Sequence, residues 1–290
     1  MTEPSLSDTL RVSRSGLAPI KRDPLAHTRK GKASRDRSKR IIPKYRADKV
    51  RVLTENELLA LLEWAGPPAS KRNVDSQGSA RDRLIIDLGW AVGLRRSEKI
   101  SLSIYPFEAL TPDPELLRHH KIKVVGKGNK VRTVDVPAWL VIDIQAYIQG
   151  ERKRALKRRG RSAREGQLLL NSETSTNRAG HPMEASGIRS MIERACIGAG
   201  LIEQRKFENP ESGERGVRAG ARFSDHPLRH TFAVMTWHHS LAAGWKEEET
   251  WKYIQHQLGH EDLGTTMDTY LKHVNVWATP GRSAALKSMR

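Results

Sequence analysis

From Val50 onward, apolar residues recur every three to four positions over most of the chain, and that spacing predicts helices. VRVLTENELLALLEWAG (50–66) sets Thr54 three residues before Glu57, a capping box, and then runs Leu58, Leu59, Leu61 and Leu62 along one stripe that stops at Gly66. After a polar loop, RDRLIIDLGWAVGLRRSEKISL carries Leu84, Ile85, Leu88, Trp90, Ala91 and Leu94, the pattern of one buried helix with Gly93, Arg95, Arg96 and Glu98 at its far end. Between Lys121 and Pro137 the period drops to two, and KIKVV and VRTVDVP flank the turn GKGNK as a hairpin. Helical spacing returns from Val141 to about Arg159, ending in the basic run ERKRALKRRGRSAR. LLLNSE predicts a short extended piece, and Ile188, Met191, Ile192 and Ala195 predict a helix over Met183 to Gly200. Residues 203–223 have no period and read as a charged loop. Ser224 or Asp225 caps the next helix, with Pro227 in its first turn and Leu228, Phe232, Val234, Met235 and Trp237 along it to Gly244. TWKYIQHQLGH closes a shorter helix at Gly259, and TTMDTYLKHV is the last. The sum is a mainly α fold with a small antiparallel β-sheet or hairpin, without internal repeats.

Charge separates the first 49 residues from the rest. They hold 14 Lys or Arg against 5 Asp or Glu, four prolines and no hydrophobic period, the signature of a flexible basic arm (1–49) ahead of one domain (50–290) whose tail starts at about residue 271. Over all 290 residues, 51 Lys and Arg against 33 Asp and Glu give a formal charge of +18, which calls for a polyanionic partner. Nucleic acid comes first and an anionic membrane surface second. No run approaches the roughly 18 apolar residues of a membrane span, and the first residues have no apolar signal-peptide core, so the chain is expected to be soluble and cytoplasmic. The single cysteine, Cys196, has no partner for a disulfide or a thiolate zinc site and is expected to be a small buried helix residue.

The candidate chemistry lies in polar residues set inside or at the ends of apolar helices, where charge is costly without a partner. Arg95 and Glu98 share a helix face, as do His226 and Arg229. Lys127 sits at the hairpin tip between glycines, His260 stands at a helix boundary, and Tyr270 lies on the following helix. Taken singly these have plain structural readings: a helix ion pair, a basic turn, a packed core tyrosine. Together they suit cleavage of a phosphodiester without metal or other cofactor. Guanidiniums match phosphate oxygens bidentately, a lysine or histidine protonates the leaving oxygen, and a phenol among cations becomes a nucleophile. His256 and His260 have zinc-like spacing, but neither an HExxH pattern nor a cysteine pair accompanies them. His230, His238, His239 and His273 are expected at the surface or behind the site. Trp251 and Tyr253 fit core packing.

GLRRSE (93–98), VVGKGNKVR (124–132), HPLRHTFA (226–233), LGH (258–260) and TTMDTY (265–270) resemble, in order, the boxes of the tyrosine recombinase (phage integrase) family, over about Val50 to Val276. The resemblance implies a mostly helical catalytic domain with a small antiparallel sheet. It also implies that Arg95 and Arg229 clamp phosphate, Lys127 is the general acid, His226 assists in acid–base steps, His260 donates to phosphate, Glu98 supports them and Tyr270 is the nucleophile. Its implied partners are double-stranded DNA and further copies of the chain in a DNA-dependent tetrameric synapse, with the tail from Leu271 docking on a neighbour. Bound to DNA, such a protein would be found with the bacterial nucleoid. Two departures stand out. Only the basic arm occupies the place of the family's usual helical DNA clamp, and the 203–223 loop and the stretch from Arg229 to His260 run long. A type IB topoisomerase-like activity, or a non-catalytic DNA-binding regulator on the same fold, would share much of this pattern.

Overall fold

Thr54 caps its helix as its spacing to Glu57 predicts. Its hydroxyl accepts from the Glu57 amide at 3.3 Å, and the Glu57 carboxylate accepts from the Thr54 amide at 2.8 Å, opening α1 (Glu55–Ala65). The chain divides between Lys49 and Val50, and the computed structural model describes residues 50–277 apart from 114, 117, 161–163, 209–212 and 214. The basic segment 1–49 and residues 278–290 lie outside the described residues.

The expected long helix after the first loop is two helices. α2 (Ala80–Trp90) ends before Gly93, and α3 (Arg96–Ser101) starts afresh with Arg95 as its N-cap. Gly93 has φ +74°, and a Cβ there would stand 2.7 Å from Phe232 Cδ1 and 2.8 Å from Leu258 Cδ2. The backbone therefore turns tightly beneath two core side chains, which only glycine allows. α2 is buried on every side, so its charges are paired internally. Arg83 Nε donates to Asp87 Oδ2 at 2.9 Å, and Trp90 Nε1 donates to Asp87 Oδ1 at 2.7 Å.

A single turn, α4 (Tyr105–Glu108), leads to the antiparallel pair β1 (His119–Val125) and β2 (Val131–Pro137), in which Ile122 faces Val134 and Val124 faces Arg132. The next helix is interrupted. α5 (Ala138–Tyr147) passes through a wide π turn, Ile148–Arg152, into α6 (Lys153–Arg159). From that turn the Glu151 carboxylate reaches back to the start of α2, accepting from Ser79 Oγ and the Ala80 amide, each at 2.6 Å. The short extended piece expected at LLLNSE makes isolated bridges, Leu170 to Pro182 and Gln167 to Ser103, with Leu168 and Leu169 buried.

α7 (Ala185–Gly198) buries Cys196, as expected of a small helix residue. Residues 203–223 correct the sequence reading. They form a second antiparallel pair, β3 (Ile202–Glu208) with β4 (Arg215–Ala221), rather than an irregular loop. Its charged, mostly exposed positions give no alternation to read, because among the described side chains of the pair only Ala221, at the end of β4, joins a core. α8 (His226–Ala242), α9 (Glu247–Leu258) and α10 (Leu263–Tyr270) follow, and 3₁₀ turns over Leu271–Trp277 continue from α10. The fold is thus mainly α with two small antiparallel sheets.

Two apolar clusters result. The larger draws on α1, α2, α5, α7 and the inner face of β1–β2. The smaller consists of Phe232, Ala233, Val234, Trp251, Ile254, Leu258 and Tyr270. α8 contributes to both, through Leu228 and Met235 on one side and Phe232 and Val234 on the other.

Candidate active site

Between the two clusters, three arginines converge on the end of α9. The last carbonyls of a helix lack intrahelical donors and carry the negative end of its dipole. Here Arg132 Nη1 donates to Gln257 O, Arg229 Nη2 to Leu258 O and, at a longer 3.4 Å, Arg95 Nη2 to Gly259 O. Gly259 is left-handed at φ +62°, with Arg132 Cδ only 2.6 Å from where a Cβ would stand. The arginine and the helix end therefore fit only around a glycine.

One carboxylate holds the three guanidiniums together. Glu98, wholly buried at the first turn of α3, accepts from Arg95 Nη1 at 3.0 Å and from Arg132 Nη2 at 2.9 Å, with Arg229 Nη1 at 3.9 Å. It also accepts from the Arg95 amide at 2.7 Å, so Arg95 and Glu98 share a helix start rather than the helix end expected from sequence. Burial alone would raise the Glu98 carboxyl, but the bonds from Arg132, the Arg95 amide and the field of Arg229 outweigh it and hold it below the usual range. Arg229 is 1% exposed and also donates to Gly93 O at 2.6 Å. Burial, reinforced by Arg95, pulls it down to about 9, so it stays a cation at neutral pH.

His226 and Arg229 share a face of α8, as their spacing predicts. The residue before them, Asp225, gives no side-chain cap. Its carboxylate accepts instead from Lys99 Nζ at 2.5 Å, a buried ion pair tying the start of α8 to α3. Burial and then Arg229 hold the His226 imidazole below its ordinary range, against the pull of Asp225.

His230, expected at the surface or behind the site, lies behind it: it is buried one turn beyond His226, with ring centres 4.4 Å apart, and its Nδ1 lies 3.0 Å from Tyr270 Oη. Tyr270 is 1% exposed. Burial pushes its phenol up to about 12, with Arg229 and Arg95 pulling the other way. The His260 ring lies nearly parallel to that of Tyr270 at 6.1 Å, and its Nδ1 is 2.9 Å from Thr266 Oγ1. Burial and then Arg229, Arg95 and Arg132 take His260 down to about 4. If the Thr266 hydroxyl gives its proton to Nδ1, the neutral ring keeps Nε2–H as a donor.

Six predicted residues, Arg95, Glu98, His226, Arg229, His260 and Tyr270, therefore gather along one seam. Lys127 opens the turn between β1 and β2. Its side chain is outside the described ones, but the preceding Gly126 lies against the site, where a Cβ would be 3.4 Å from Glu98 Oε1. Sequence reading left Arg132, Lys99 and Gln257 without a role and His230 without its bond to Tyr270. The signals existed. Arg132 alternates with buried Val134 and Val136, so it shares their face of the strand, and His230 follows His226 by one helical turn. Among the described residues, no group of three His, Cys, Asp or Glu side chains is arranged to hold a metal ion, and no helix is long and apolar enough to cross a membrane.

Compared with known proteins, residues 51–275 match the model of the phage integrase family. The chain belongs to that family. It is 29% identical over 224 residues to the tyrosine recombinase XerD of Staphylococcus saprophyticus, covering 77% of this chain and 59% of that protein. Identity is also 29% over 194 residues to the tyrosine recombinase XerC of Halalkalibacterium halodurans, covering 67% and 51%. The chain thus spans a little over half the length of these relatives. Among solved structures, it resembles the XerH site-specific recombinase bound to its palindromic difH substrate, with a TM-score of 0.47 and 21% identity over 77% of this chain and 50% of that one.

Proposed function

We propose that this member of the family is a site-specific recombinase that cuts and rejoins double-stranded DNA through a covalent 3′-phosphotyrosyl bond on Tyr270. The observation that carries the reading is the seam itself. Tyr270 lies within the fields of Arg229 and Arg95 and beside His260, on elements that five separate stretches of sequence bring together. Arg95 and Arg229 hold the non-bridging oxygens and meet the charge that grows on them during attack. His260 adds a neutral N–H donor, and His226 serves proton transfers beside them. Tyr270 Oη bonds to phosphorus while the bond to the 5′ oxygen breaks, and Lys127 protonates that oxygen. Because the phosphotyrosyl ester conserves the energy of the bond it replaces, rejoining is the same step in reverse.

Glu98 keeps three cations at one point against their mutual repulsion. With Tyr270 covered and Arg229 enclosed, the phosphate meets them only after the α9–α10 side shifts, and a DNA-dependent assembly of four chains supplies the occasion for that shift. The basic arm and the tail beyond Leu271 would serve DNA binding and contact between copies, and the DNA-bound protein would sit with the bacterial nucleoid.

The test incubates the full chain with nicked duplexes of randomised sequence and looks for protein–DNA adducts that survive detergent. Wild-type protein should yield adducts, whose DNA then reports the target. Tyr270→Phe should bind the same DNA and yield none. An adduct that persists in Tyr270→Phe sinks the assignment.

A further inference from the structure

The geometry points to His230 as the base that takes the phenolic proton from Tyr270 during attack. The inference rests on the role proposed above for Tyr270 and adds a group that the five sequence boxes do not assign. Among the described residues, His230 Nδ1 is the hydrogen-bond partner of Tyr270 Oη, at 3.0 Å. That is the distance at which a base takes a proton directly. His226, the expected acid–base helper, touches the edge of the His230 ring, 4.4 Å between centres, and makes no hydrogen bond to the phenol among the described residues.

The surroundings fix the form in which His230 acts. The charged and titratable groups facing it come from its own helix (His226 and Arg229), from the turn before α10 (His260), from α10 (Tyr270) and from the 3₁₀ segment (His273). Burial first, then these neighbours, take its imidazole down to about 3, so it is neutral at any physiological pH. A neutral ring accepts at Nδ1 only with its proton on Nε2, which directs the Tyr270 O–H toward His230. An isolated imidazole of such low basicity is a poor base. Its basicity is suppressed partly by the Arg229 cation, whose charge a DNA phosphate would offset. Arrival of the phosphate therefore strengthens the base when the nucleophile needs it.

The step balances within this chain and its DNA. The Tyr270 Oη–H proton moves to His230 Nδ1 as the Oη–P bond forms, the P–O5′ bond breaks, and Lys127 supplies the proton gained by the 5′ oxygen. Rejoining returns each proton to its source.

The experiment uses the full chain and the DNA recovered with wild-type protein, and measures the rate of adduct formation against pH for wild type, His230→Ala and His230→Asn. The asparagine side chain places a polar atom near Nδ1 without a basic nitrogen, so it preserves a hydrogen bond and the fold. Both variants are expected to slow by about 10²- to 10⁴-fold. Their rates should climb about tenfold per pH unit above neutrality, tracking the fraction of ionised phenol, where wild type is flat. Added imidazole should restore part of the rate of His230→Ala and none of that of Tyr270→Phe. A His230→Asn protein as fast as wild type, with the same pH profile, shows that the ring only holds the phenol in place and overturns the inference alone. Wild-type protein that forms no adduct overturns the reading of Tyr270, and this inference with it.

Discussion

The larger apolar cluster and the smaller one treat their polar residues differently. In the larger, buried charges satisfy each other locally, as Arg83 and Asp87 do four residues apart on one helix. In the smaller, the polar atoms turn toward the boundary. Tyr270 bonds to His230, and the last carbonyls of α9 accept from Arg132 on β2 and from Arg229 near the start of α8. Beside the apolar contacts along α8 and over Gly93, guanidiniums and one carboxylate thus join the two regions near the site. A boundary made that way is specific in geometry yet separable by a competing anion. A small apolar cluster also opens locally at less cost than a large one. Tyr270, the nucleophile proposed above, belongs to the smaller cluster, and the Glu98 carboxylate that gathers the cations lies outside it on α3.

The severest way to break this arrangement is at Glu98. Glu98→Ala leaves Arg95, Arg132 and Arg229 facing one another, and stranding buried charge in this way costs about 3–5 kcal/mol. Urea unfolding of the variant should show a loss of that size. Glu98→Gln separates charge from shape and gives a pH test. The folded carboxyl lies below its unfolded value of about 4.3. Its contribution is therefore present above that value and lost as pH falls through the lower folded one. Wild-type melting temperature should drop in that acid window, and the drop should be smaller in Glu98→Gln.

Trp251 tests the smaller cluster alone. It is 1% exposed beneath α8 and α10, and Trp251→Ala should cost about 3–5 kcal/mol. Hydrogen exchange says where the loss falls. Amides of α9 and α10 should lose protection while those of α2 keep theirs. Equal loss in both would mean that the clusters unfold as one unit.

A milder change acts at the joint. Gly259→Ala puts a side chain on a left-handed residue, at about 1–2 kcal/mol, and drives its Cβ into Arg132. Stability should fall by about that amount, while adduct formation falls more steeply because His260 is the next residue. If both fell in proportion, Arg132 would be a stabiliser of the fold with no special bearing on the site.

How far these regions could be read from sequence follows from the same contrast. Where one face is buried and the other wet, the pattern is legible. The Thr54–Glu57 box, the β1–β2 alternation and the shared face of His226 and Arg229 needed nothing beyond spacing. The break at Gly93 was hidden because α2 is buried all round, so its apolar run continues smoothly into the turn. The β3–β4 pair was hidden for the opposite reason, having no buried face to impose a period. Residues of the seam were legible one at a time but not as partners. That Lys99 meets Asp225, 126 positions away, or that Arg132 meets Gln257, depends on how α3, β2 and α9 are brought together, which local spacing does not encode.

The smallest expected effect checks the independence of the two regions. Thr54→Ala removes the hydroxyl that accepts from the Glu57 amide, but the bond from the Thr54 amide to the Glu57 carboxylate is made by backbone and survives. Glu57 also keeps Arg222 at 3.1 Å. Half of the capping box therefore remains, and the cost should be about 1 kcal/mol or less, a fall in melting temperature of about 2–4 °C for a domain of this size. Thr54 opens α1, whose Leu58, Leu61 and Leu62 join the larger cluster, while Val50 and Val52 before it pack on the smaller one and keep their place in the variant, so adduct formation and the exchange protection of α9 and α10 should not change. A drop in either would mean that strain at α1 passes through α8, where the buried Thr231 hydroxyl accepts from the Leu53 amide at 2.9 Å, and that the smaller cluster is not insulated from the larger.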